Sequence, residues 1–79
     1  MNEATQALAR RLDEHCGEVK RAYLRALAQA RATVRGTGQC SVQTFVTLYA
    51  PDEGLERIEW DELANEWEAE RLALLKEMR

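Results

Sequence analysis

The feature that most constrains the fold is a stretch near the start of the chain that can form one long helix. Residues 2–34 contain no proline and a single glycine, Gly17. Apolar and small side chains recur at helical spacing, which places them on one face of a helix: Ala4, Leu8, Leu12, His15, Val19, Ala22, Tyr23, Ala26, Ala30 and Val34. The opposite face carries charge: Arg10, Glu14, Lys20, Arg21, Arg25, Arg31 and Arg35. The sequence therefore predicts an amphipathic helix over about residues 2–34.

Glycines indicate where this helix bends and where it stops. A glycine in a helix interior costs about 1 kcal/mol relative to alanine. Gly17 therefore predicts either a bend or a close approach by another backbone. Gly36 and Gly38 follow the last periodic residue, and they predict the end of the helix.

The predicted helix is long compared with the rest of the chain. A helix of about 30 residues measures about 45 Å at 1.5 Å per residue, and the second predicted helix is shorter. We therefore expect a second copy or another protein to cover part of its apolar face. The expected state is a homodimer, and the predicted dimerisation residues are Leu8, Leu12, Val19 and Tyr23.

A second helix is predicted over about residues 61–78. Asp61 is a favourable N-cap, and Glu62 lies in the first turn, where the helix dipole favours an acid. The apolar face of this helix consists of Trp60, Leu63, Ala64, Trp67, Leu74, Leu75 and Met78. This face is expected to pack on the first helix.

The segment between the two helices has two interpretations. Residues 42–49 are rich in β-branched and aromatic side chains, and residues 51–54 can form a turn, so a β-hairpin over about residues 41–60 is favoured. Such a hairpin would place Phe45, Tyr49, Ile58 and Trp60 on one face. The alternative is a short helix over residues 41–50 followed by a loop. The favoured fold class is mainly α with α+β character, in a single small domain over residues 1–79.

No group of residues predicts catalysis, a cofactor or a metal. His15 and Cys16 are adjacent, so on a helix their side chains point about 100° apart and do not converge on one ion. The remaining cysteine, Cys40, has no spaced partner that would complete a zinc pattern. We therefore expect neither an enzyme nor a protein that binds a small-molecule substrate.

An acidic row on the second helix is the first candidate for partner binding. Glu62, Glu66 and Glu70 repeat at every fourth residue, and like charges at this spacing destabilise a helix by a few tenths of a kcal/mol per pair. The row is either a solvated face or a surface that meets arginines on the first helix, on a second copy or on a partner. Trp67 joins it as a weaker candidate, because tryptophan is enriched at interface hot spots. Arg71 is a further weak candidate, because it interrupts the apolar face of the second helix. Either its stem lies on apolar surface with its charged end in water, or it stacks on Trp67 or forms a buried ion pair that fixes the register of an assembly.

Composition and charge exclude several classes of protein. The start of the chain lacks the pattern of a signal peptide, and no apolar run approaches the roughly 20 residues of a membrane span, so a cytoplasmic protein is expected. Residues 1–38 hold seven Lys/Arg and four Asp/Glu, whereas residues 39–79 hold four and ten. The two halves are expected to pack together and partly neutralise each other. Nucleic-acid binding is disfavoured, because the arginines are interleaved with acids and no recognition motif accompanies them.

The sequence favours a function in protein binding. Its amphipathic surface exceeds what one short chain can bury, and it shows no catalytic constellation. The expected role is that of a small intracellular module that occupies the surface of a partner protein, as an adaptor, an antitoxin-like partner or a phage-type inhibitor of a host protein. The alternative is a structural subunit of a larger assembly, such as a virion connector.

Overall fold

The computed structural model describes residues 1–35, 41–49 and 55–78. Three α-helices are present in these segments: α1 (Glu3–Gln29), α2 (Ser41–Tyr49) and α3 (Trp60–Glu77), and the short 3₁₀ turn Leu55–Arg57 precedes α3. Both α1 and α2 pack against α3. The described part of the chain contains no strand.

The predicted β-hairpin over residues 41–60 is therefore wrong. Val42, Phe45 and Val46 are fully or almost fully buried, and their spacing of three and one is that of a helix face, not of alternating strand residues. Burial on that face outweighed the strand preference of the β-branched and aromatic side chains, which is weak and depends on context. The predicted turn over residues 51–54 lies outside the described residues.

The start of α1 is fixed by a hydrogen-bonded cap that also reaches the start of α3. The Asn2 side-chain oxygen accepts hydrogen bonds from the Thr5 backbone N–H at 2.8 Å and from the Thr5 hydroxyl at 2.6 Å. The Thr5 hydroxyl is buried and in turn accepts the backbone N–H of Glu59 at 2.9 Å. The side-chain amide nitrogen of Asn2 donates to the carbonyl oxygen of Arg57 at 2.8 Å. One asparagine thus caps α1 and holds it to the chain before α3.

A kink at Cys16 divides α1 into two halves. The backbone of Cys16 departs from helical geometry, with φ −129° and ψ 19°, one residue before the bend predicted at Gly17. The buried residues before the kink include Leu8 and Leu12, as predicted, but those after it are Lys20, Leu24 and Ala28. Val19 is 42 % exposed. The predicted apolar stripe is therefore correct at Leu8 and Leu12, but His15 in the first half and Val19, Ala22 and Ala26 in the second half are exposed.

The end of α1 is set by the backbone of Arg31 and not by Gly36 or Gly38. Arg31 has a positive φ of 56°. The next N–H, from Ala32, donates to the Leu27 carbonyl at 2.9 Å, and the Arg31 N–H donates to the Ala28 carbonyl at 3.1 Å. These two bonds form a Schellman motif, which stops a helix. The helix therefore ends at Gln29, earlier than the predicted residue 34.

The core lies where the three helices meet, around Trp67 of α3. The Trp67 ring is 1 % exposed and meets the Phe45 ring of α2 edge-on, with 5.2 Å between the ring centres. The hydrophobic cluster around it consists of Leu8, Leu12, Leu24, Val34, Val42, Phe45, Val46, Ile58, Leu63, Ala64, Trp67 and Leu74. The helix α3 begins at Trp60, one residue before the predicted start, and its N-cap is Glu59 rather than Asp61.

Ion pairs join the basic first half of the chain to the acidic second half. Two of them link α1 to α3, from Lys20 to Glu70 at 3.1 Å and from Arg21 to Glu77 at 3.4 Å. A third links Arg35 to Asp61 at 3.2 Å. The mutual neutralisation expected from the sequence is thus present within one chain.

Candidate functional site

Two of the predicted partner-binding residues lie inside the fold. Trp67 is 1 % exposed and Arg71 is 7 % exposed. The Arg71 guanidinium is held by Glu68, one helical turn away, through a 2.8 Å bond from Nε to Oε1 and a second bond from Nη2 to Oε2. This hydrogen-bonded pairing raises the pKa of Arg71 further above its usual value, against the opposing effect of burial. These contacts give Arg71 a structural role within the chain.

Glu68 extends this contact to the segment after α1. Its Oε1 atom also accepts the backbone N–H of Val34 at 3.1 Å, and the Val34 side chain is fully buried. The hydrogen bond from Arg71 holds the pKa of Glu68 below its usual value, aided by the Val34 N–H and opposed by burial. The anionic carboxylate therefore fastens the chain leaving α1 to the middle of α3.

The three glutamates of the predicted acidic row have different environments. The Met1 amino group lies 3.1 Å from Glu62, and the hydrogen bond to Glu62 raises the pKa of that amino group. Glu70 pairs with Lys20 of α1. Glu66 is exposed, and it makes no hydrogen bond or ion pair with the residues that the structure describes. Two of the three carboxylates thus meet positive groups of the same chain.

Lys20 is a buried residue that the periodicity of α1 placed on the charged face. It is 6 % exposed, its Nζ lies 5.1 Å from the centre of a Trp67 ring, and it pairs with Asp13 at 2.8 Å and with Glu70 at 3.1 Å. The side chain forms one wall of a cavity of about 310 Å³ between α1 and α3. The sequence contains one signal of this burial. Lys20 precedes Leu24 and Ala28 at intervals of four residues, so the three side chains lie on the same face of the helix.

Among the residues that the structure describes, the two most exposed large apolar side chains belong to α2. Leu48 is 70 % exposed and Tyr49 is 51 % exposed; these two residues are called the α2 patch below. The inner side of the helix is anchored, because the Phe45 ring packs both on Trp67 and on the Tyr49 ring, whose centre lies 4.6 Å away. The sequence of α2, SVQTFVTLY, contains no charged residue. An uncharged helix thus presents apolar surface on a chain of which 32 % is charged.

The predicted dimerisation residues do not share one surface. Leu8 and Leu12 are buried within the chain, at 2 % and 1 % exposure. Tyr23 is half-buried, and its ring centre lies 5.7 Å from that of Phe45. Val19 is the only one of the four that is exposed. Dimerisation itself stays a prediction.

The residues weighed for metal or nucleophilic chemistry, His15 and Cys16, lie at the kink of α1. His15 is exposed and Cys16 is half-buried at the kink. Within residues 1–35, 41–49 and 55–78, no cluster of His, Cys, Asp and Glu side chains could hold a metal ion. None of the helices in these segments combines the length and the apolar character needed to cross a bilayer.

Comparisons with family models, curated proteins and solved structures give no match for this chain. Its function is therefore argued from its own residues. Among the residues that the structure describes, the α2 patch holds the two most exposed large apolar side chains, and one of them is a tyrosine, a residue type enriched at protein interfaces.

Proposed function

We propose that this chain is a small protein-binding module that acts by occupying the surface of a partner protein. The observation that carries the proposal is the exposure of Leu48 and Tyr49 on α2. Apolar surface contributes about 25 cal/mol per Å² when it is removed from water. Leaving two large side chains in water is a cost to the free chain that a partner removes.

The polar groups of α2 are compatible with burial against a partner. The helix carries no charge, so docking requires no charged group of α2 to leave water. The Thr47 hydroxyl already donates to the Gln43 carbonyl at 2.8 Å, within the helix itself. The contact that fits these features is apolar packing of this part of α2 against the partner, with Leu48 and Tyr49 as the contacting side chains.

The acidic face of α3 supports a partner with a basic surface. Glu62, Glu66 and Glu70 stay partly or largely exposed, although two of them have partners within the chain. The net charge of the chain is −3. Exposed charges of one sign increase the rate of association with a target of opposite sign, and salt reduces this effect. The proposal includes action in the cytoplasm, which rests on the composition of the chain.

The experiment is affinity capture from a lysate of the source cell, followed by mass spectrometry. The bait is the full chain, compared with the variant that carries Leu48→Asp and Tyr49→Ser. The matched control is Leu72→Asp, which also places a charge on an exposed leucine, but on α3. We expect a defined protein to bind the wild-type chain and the control, and to be lost with the α2 variant.

Two results would contradict the proposal. The first is that all three baits capture the same proteins in the same amounts, which would remove α2 from recognition. The second is that the wild-type chain captures nothing above a bait-free resin. Circular dichroism of each bait shows beforehand that its helix content matches that of the wild-type chain.

A further inference from the structure

We draw no further inference here: the strongest candidate, the cavity of about 310 Å³ between α1 and α3, is lined by charged side chains that pair with one another, and nothing in the structure shows which ligand would enter it.

Discussion

The two halves of α1, residues 3–15 and 17–29, differ in what they bury. The first half buries an uncharged side, Thr5, Leu8 and Leu12. The second half buries Lys20 beneath Trp67 and leaves Val19 exposed. On an ideal helix, Leu12 and Leu24 would lie about 120° apart, so the kink at Cys16 accompanies a change in the face that meets the core. A single apolar stripe therefore cannot describe a helix that bends.

The largest expected effect on stability comes from comparing one apolar residue in each half of α1, Leu12 and Val19. Leu12→Ala should lower the free energy of unfolding by about 2–5 kcal/mol, because it removes buried methyl groups and leaves a cavity. Val19→Ala should change it by less than about 0.5 kcal/mol, because Val19 is exposed in the single chain. Urea unfolding at low protein concentration, followed by circular dichroism, measures both. Equal losses for the two variants would contradict the described change of face.

The second effect concerns the ion pair between Glu68 and Arg71, which also holds the chain that follows α1 through the Val34 N–H. Glu68→Gln should cost about 1–2 kcal/mol at neutral pH, because Arg71 stays buried without its carboxylate, whereas Glu68 is itself 31 % exposed and water eases the loss. The folded-state pKa of Glu68 is lowered. Its stabilisation is therefore complete above the unfolded-state pKa and disappears as the pH falls through the folded-state value.

The pH dependence gives this prediction a separate measurement. Between about pH 5 and pH 3, the wild-type chain should lose more stability than Glu68→Gln does, because the variant has no carboxylate to protonate. Glu66→Gln is the control, since Glu66 is exposed and makes no hydrogen bond or ion pair with the described residues. Over this pH range, the urea midpoint should change less with pH in Glu68→Gln than in the wild-type chain or in Glu66→Gln. If the urea midpoint of Glu68→Gln falls with pH as steeply as that of the wild-type chain, Glu68 does not bind Arg71 as a carboxylate.

The third effect tests whether Lys20 acts through its charge or through its stem. Lys20→Ala should cost about 1–2 kcal/mol, from the lost contact with Trp67 and two partly exposed ion pairs. Lys20→Met keeps most of the stem and should cost less than about half as much. The neighbouring Arg21→Ala, which removes one exposed pair, should stay within about 0.5 kcal/mol of the wild-type chain. Equal losses for the alanine and methionine variants would assign the whole effect to the charge.

The smallest expected effect on stability concerns Gly17, the residue after the kink at Cys16. Gly17→Ala should stabilise the chain by about 0.5–1 kcal/mol, because an added Cβ meets no atom within 4 Å and alanine favours the helix. Ala7→Gly, at an exposed position of the first half, should destabilise it by a similar amount. Thermal unfolding of both variants measures the pair. A destabilising Gly17→Ala would show that the bend depends on glycine itself.

The sequence predicted α3 to within one residue because its apolar residues keep a single helical period over the whole element. It failed for α2, where only nine residues are available and the same β-branched side chains suit a strand. Lys20 could not be identified as buried, because the group that makes its burial favourable, Trp67, belongs to a different helix. The sequence predicts Trp67 both on the face that packs on α1 and as a weak partner-binding candidate, because helical spacing does not show which neighbour a face meets.

The Asn2 cap has a consequence for the order of folding. The Schellman motif at Arg31 joins residues that are close in sequence, so it can form as soon as α1 does. The bond from Asn2 to the Arg57 carbonyl closes a loop between residues 55 positions apart, and closing a loop of this length costs chain entropy before any contact offsets it. We therefore expect the bond from Asn2 to the chain before α3 to form only after α3 has docked, later than the local cap that joins Asn2 to Thr5.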